Sequence, residues 1–231
     1  MKTVAIISAM EIELSYVEEF LDGRYGWKPI EEHRYENSIT SVQLITKVIG
    51  VGKVNAAYQT ADLIAQEHPD LIINVGYAGG LIADAHAGDV AIGTDYVQVD
   101  FLPYKDENRT VIRESPKEIV NILLEKAAEL SIHAVAGRIA TGDFFLHDSV
   151  QKNRIINDHS PIAFDMESAA IAQVATVKNV DFVSIRTFSD MADESAVDAF
   201  KDGRVLHDYN MIPIERQPVV LALVTLEGIK S

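Results

Sequence analysis

Three carboxylates stand after short apolar runs, and one arginine stands inside such a run. Glu13 follows the opening run Val4 to Ser8, with Ala9 to Ile12 between, and Asp190 follows Ser189 after the run Phe182 to Phe188. Glu167 follows Asp165 and Met166, between a short strand and a helical stretch. A fourth such place, Gly76-Tyr77-Ala78-Gly79-Gly80, comes directly after Leu71 to Val75. In open α/β sheets ligands gather at the carboxyl ends of strands, so these are the positions to examine for chemistry. Carboxylates drawn to one edge repel one another, a cost that usually accompanies a function. A carboxyl group can move protons near neutral pH once burial or a neighbouring charge raises its pKa. Arg186 interrupts an otherwise apolar strand, and a buried arginine needs a carboxylate partner.

Local sequence alone leaves plainer alternatives open. Glu13 reads equally as an exposed acid in the first turn of a helix, favoured by the helix dipole, and Glu167 as another. Asp190 could cap the turn after its strand. Phe145, Met166 and Phe200 are residue types more often found in a core than against a ligand. The glycines at 76, 79 and 80 could serve close packing alone.

The elements that must position these residues alternate between strand and helix. Val4 to Ser8 reads as a strand and Glu11 to Leu21 as a helix with Leu14, Val17 and Leu21 on one face. Arg34 to Ile39 and Ser41 to Ile49 suit a hairpin. Helical spacing follows over Lys53 to Glu67, then a buried strand over Leu71 to Val75. Further strands are expected over Asp89 to Val99, Ala134 to Ala140 and Phe182 to Phe188, and helices over Pro116 to Leu130, Ser168 to Lys178 and about Glu215 to Ile229. Phe101 to Ser115 reads as a polar, mobile loop, and Pro161 and Asp193 to Tyr209 as irregular. Strands rich in Val and Ile, apolar on both faces, point to a three-layer α/β/α sandwich around a mixed, mostly parallel sheet. A chain of 231 residues with 48% hydrophobic content can hold one core, so residues 1–231 are expected to form a single domain.

Composition narrows the partners. With 35 acidic and 20 basic residues the net charge is −15, which opposes binding to nucleic acid and favours a neutral or zwitterionic small molecule. No apolar run approaches a membrane span, and the opening run is too short and too soon acidic for a signal peptide. Cysteine is absent, which removes thiolate chemistry and fits a cytoplasmic protein. The seven histidines form no HExxH pair, which argues against zinc.

Four motifs in order give a resemblance over most of the chain. They are AMEIE (Ala9 to Glu13), IGVGKVNAA with NVGYAGGL (Ile49 to Ala57, Asn74 to Leu81), FDMESAAIA (Phe164 to Ala172) and SIRTFSD (Ser184 to Asp190). In these the chain resembles the 5′-methylthioadenosine/S-adenosylhomocysteine nucleosidases of the nucleoside phosphorylase superfamily. The resemblance implies a nucleoside phosphorylase-like fold, hydrolysis of an adenine nucleoside in methionine salvage, no metal or organic cofactor, and a homodimer whose 5′-pocket draws on both subunits. Asp190 would protonate purine N7, Glu13 would deprotonate the attacking water, and Glu167 would accept hydrogen bonds from the ribose hydroxyls. Arg186 would hold the water and acidic groups. Met166 and Phe145 would pack on sugar and base, the Leu146 backbone would read the adenine edge, and Phe200 would close over it. Ala9, Tyr77, Ala78, Gly79 and Ser189 would line the same pocket. A glutamate at the first strand's turn would repel phosphate, which favours water over phosphorolysis. Tyr77 stands where the family usually carries serine, and Val97 to Tyr104 departs from the family pattern, so the 5′-substituent stays open. A related nucleosidase or phosphorylase, or a silent nucleoside-binding protein with its water blocked by Tyr77, remains an alternative.

Overall fold

The computed structural model describes residues 2–24, 26–101, 114–197 and 212–228. Its described strands are β1 (Lys2–Ser8), β2 (Trp27–Glu31), β3 (Arg34–Asn37), β4 (Val42–Val48), β5 (Leu71–Gly80), β6 (Val90–Gln98), β7 (Ala134–Thr141), β8 (Ala163–Asp165) and β9 (Asp181–Asp190). Its helices are α1 (Glu11–Leu14), α2 (Val17–Leu21), α3 (Lys53–Glu67), α4 (Lys117–Glu129), α5 (Ser149–His159), α6 (Ser168–Lys178) and, last in order, α7 (Gln217–Gly228).

The strands form one mixed sheet in the order β2-β3-β4-β1-β5-β8-β7-β6-β9, with β9 also paired to β5. That extra pairing bends β5, β8, β7, β6 and β9 into a closed ring. Alternation along each strand sorts side chains to the two faces. Val4 and Ile6 of β1 join Leu71, Ile73 and Val75 of β5 in a core covered by α2, α4 and α7. Ala5 and Ile7 join Ile72 in a second core, covered by α3 and the alanine-rich α6. Helices therefore lie on both faces of the sheet, as the expected α/β class requires. No described helix is long and apolar enough to cross a membrane.

The expected Glu11–Leu21 helix is broken into α1 and α2 at Ser15–Tyr16, and Ile12 stays 56% exposed. Two expected boundaries also move, with consequences for the site. β5 runs on through Gly80, and β9 runs on through Asp190, so Tyr77 to Gly80 and Ser189–Asp190 lie within paired strand ends. Gly79 pairs with Asp190 across a bulge. The segment expected as a mobile loop falls almost wholly outside the described residues, as does Asp198 to Tyr209 of the second irregular stretch.

Candidate active site

Glu13 sits in a short helix directly after β1, yet it is only 3% exposed. The turn through Ala9 and Met10 folds its side chain inward over β5. Met10 N–H donates to Glu13 Oε2 at 2.8 Å, and Tyr77 N–H donates to Oε1 at 3.0 Å. Burial pushes this carboxyl above its usual range, against the pull of Arg186 and the nearby amides. Gly76 makes the approach possible, since a Cβ there would overlap Glu13 Oε1 and stand 2.5 Å from Arg186 Nη1.

Arg186, from the middle of β9, is 1% exposed and finds the carboxylate partners its burial demands. Nη2 lies 2.7 Å from Asp165 Oδ2 and 3.2 Å from Glu167 Oε2. Asn74, buried in β5, satisfies both of its amide atoms in the orientation that donates to the Ile7 carbonyl at 3.3 Å and accepts from Arg186 Nη2 at 2.5 Å. Glu167 occupies the N-cap position of α6 and is buried. Its Oε1 accepts from Gly52 N–H at 2.9 Å, at the start of α3. Burial pushes the Glu167 carboxyl up to about 7; Arg186 and Gly52 N–H oppose this, while Asp165 and Glu13 add to it.

Asp190 is separate from this cluster and half-buried. Ser189 Oγ donates to its Oδ2 at 2.7 Å, and Ala192 N–H donates to its Oδ1 at 2.8 Å, so it does cap the following turn. Glu13 meets β5 at Gly76 and Asp190 meets it at Gly79. Those two contact points are three residues, about 10 Å, apart along β5.

The expected lining residues divide. Ala9 and Ala78 are buried, and Gly79, Met166 and Ser189 are partly exposed at the same strand ends. Tyr77 touches the cluster through its backbone: its N–H serves Glu13 and its carbonyl lies 3.5 Å from Arg186 Nη1. Its half-buried hydroxyl is pushed up to about 12 by burial, with Glu215 and Glu13 adding to the effect. Leu146 is buried in a third apolar cluster, while Phe145 is 47% exposed and stacks on the His147 ring. Phe200 lies outside the described residues.

Several site residues lie inside the four motifs without a role assigned to them there. Asp165, Asn74 and Ser168 all face Arg186 from buried positions, and Gly52 holds Glu167 through its amide. Their signal was polarity inside apolar runs, as in Leu71-Ile72-Ile73-Asn74-Val75. Lys53, Asp100 and Asp143 form a second group beside the cluster. Lys53 Nζ meets Asp100 at 2.6 Å, Asp143 accepts from Lys53 N–H at 2.8 Å, and Asp143 N–H donates to Asp100 at 2.8 Å. The three residues tie together the segments following β4, β6 and β7. No cluster of three or more metal-ligating side chains is found among the described residues.

A glycine-lined strand end carrying buried carboxylates on an α/β sheet defines a class, and comparison with known proteins agrees. The family model described as the phosphorylase superfamily matches residues 3–206. The chain belongs to that superfamily. A protein of an Exiguobacterium species, named 5′-methylthioadenosine/S-adenosylhomocysteine nucleosidase, is 34% identical over 204 residues, covering 84% of this chain and 87% of its own. One of the same name from Anoxybacillus flavithermus is 32% identical over 223 residues, 91% and 96% of the two chains. The crystal structure of the Neisseria meningitidis nucleosidase of that name, in complex with methylthio-immucillin-A, superposes with a TM-score of 0.80 at 28% identity, over 98% and 99% of the two chains. Within the superfamily this chain groups with those nucleosidases.

Proposed function

We propose that this single-domain chain is an N-glycosyl hydrolase of adenine nucleosides, with 5′-methylthioadenosine or S-adenosylhomocysteine as substrate and adenine and the thioribose as products. The observation that carries the reading is Glu13: a buried carboxylate with a raised pKa, seated on two backbone amides. Those amides would be the natural donors for a phosphate. A carboxylate already occupies them, and it repels a second anion while accepting a proton from water.

In the reaction Glu13 takes a proton from water as the oxygen attacks C1′. The C1′–N9 bond breaks, its electron pair passes into the purine, and Asp190 supplies a proton to N7 so that adenine leaves neutral. Glu167 accepts from the ribose hydroxyls, and its charge favours the oxocarbenium-like sugar. Arg186 fixes Glu167 from behind. Met166 and Phe145 pack on sugar and base, and Leu146 offers its backbone to the adenine edge. Ala9, Ala78, Gly79 and Ser189 complete the wall, with Tyr77 bounding the water side. Contact points about 10 Å apart on β5 for base and acid suit a nucleoside, whose N7 lies well beyond the carbon under attack. No step calls for a metal or cofactor. We place the protein in the cytoplasm as a homodimer serving methionine salvage, on the reading that a second subunit completes the 5′-pocket.

A panel of nucleosides tests the assignment. Adenine should be released from methylthioadenosine and S-adenosylhomocysteine, and inosine should be poor. Binding without release would instead favour a silent binding protein.

A further inference from the structure

One arginine serves three buried carboxylates. Glu13, Asp165 and Glu167 all act on Arg186, and a single cation cannot neutralise all of them. Geometry gives Asp165 the first claim. Its Oδ2 is 2.7 Å from Arg186 Nη2, against 3.2 Å for Glu167. Four further donors converge on it. Thr141 Oγ1 donates to Oδ1 at 2.6 Å, Ser168 N–H lies 3.2 Å from both oxygens, Glu167 N–H reaches Oδ1 at 3.4 Å, and the Ser168 hydroxyl donates to Oδ2. Ser168 Oγ is in turn 2.7 Å from Ser184 Oγ, and Ser184 N–H donates to the buried Tyr96 hydroxyl at 2.8 Å. With its side chain 1% exposed and both oxygens occupied, Asp165 has no access to a substrate.

We propose that Asp165 is a positioning residue of the nucleosidase site: by sharing Arg186 Nη2 with Glu167 and holding it the closer, it weakens the guanidinium's grip on Glu167, whose remaining lone pairs stay available to the ribose hydroxyls. This rests on the function proposed above. The groups facing Glu167 are Arg186 from β9, Asp165 from β8, Glu13 from α1 and the Gly52 amide at the start of α3. Replacing Asp165 by asparagine removes one anion and gives the whole of Arg186 to Glu167 and Glu13. Both changes favour the ionised form of Glu167. The Glu167 carboxyl, pushed up to about 7 in the native site, should therefore ionise at lower pH.

The test is the pH profile of kcat/KM for methylthioadenosine, beside carboxyl-carbon NMR of Glu167 in the substrate-free protein, its signal assigned with Glu167→Gln. In Asp165→Asn the acid limb and the Glu167 titration should both move down by about one pH unit or more, with KM raised. Asp165→Glu keeps the charge and should leave both where the wild type has them. An unmoved titration in Asp165→Asn overturns the proposal. So does a titration displaced in Asp165→Glu, which also serves if the asparagine variant does not fold. If the wild type releases no adenine, the nucleosidase reading fails, while the NMR titration still decides whether Asp165 governs Glu167.

Discussion

Gly76 is where the sheet makes room for Glu13 and Arg186, and Gly76→Ala tests that packing directly. Two costs follow from the structure. The residue has φ of +153°, a conformation L side chains rarely adopt, worth about 1–3 kcal/mol in strain. Its new Cβ would also overlap Glu13 Oε1, and overpacking of this kind costs about 1–3 kcal/mol. Glu13 cannot swing into solvent without giving up the amides of Met10 and Tyr77, and Arg186 is held by Asp165. The sum, about 2–6 kcal/mol, should lower Tm by roughly 5–20 °C in a chain of this size and displace the general base. The assay is a double-mutant cycle with Glu13→Ala, read by thermal unfolding. In the Glu13→Ala background the carboxylate clash is gone, so the two substitutions should couple by at least about 1 kcal/mol. Additivity within about 0.5 kcal/mol, or wild-type adenine release by Gly76→Ala, would refute the reasoning.

Asp190→Asn should fold normally, because the amide can still accept from Ala192 N–H and donate to Ser189 Oγ, while turnover falls about 10²–10⁴-fold. A near-native rate would remove Asp190 from the mechanism. Glu167 makes the protein's stability depend on pH. Its folded pKa of about 7 exceeds the ordinary 4.5, so between those values the folded state binds more protons and stability falls as pH rises. The fall is about 3 kcal/mol for such a gap, and Glu167→Gln should remove most of it in urea unfolding across that window; parallel curves would contradict this. Lys53→Met leaves Asp100 and Asp143 without their shared cation, which should cost about 1–3 kcal/mol of stability. It should raise KM more than it lowers kcat, because the segment carrying Phe145 and Leu146 loosens; an unchanged KM would show that the tie is structural only.

The legibility of this protein followed burial. Strands apolar on both faces, such as Leu71 to Val75 and Phe182 to Phe188, were evident because period and composition agree. Helix α5 was missed, since Ile155 is its only buried residue and no 3.6-residue stripe results. Strand β2 was missed for the same reason, with Trp27 alone buried at the sheet edge. The extension of β5 through Gly80 is hidden because Gly76 ends the apolar run and the glycines read as close packing, although Gly76 is there for Glu13. The carboxylates at 13, 167 and 190 could be picked out from their positions after apolar runs. Their inequality could not, because it depends on three-dimensional neighbours. Glu13 is buried although it opens a helix, Glu167 shares Arg186 with Asp165, and Asp190 stands apart on its own serine and amide.

The central claim is that water, activated by Glu13, is the nucleophile. Analysis of the sugar formed from methylthioadenosine, with and without excess inorganic phosphate, tests it most directly. Free methylthioribose should appear at the same rate in both, and Glu13→Gln should slow its formation about 10²–10⁴-fold. A sugar 1-phosphate formed only when phosphate is present would contradict the account.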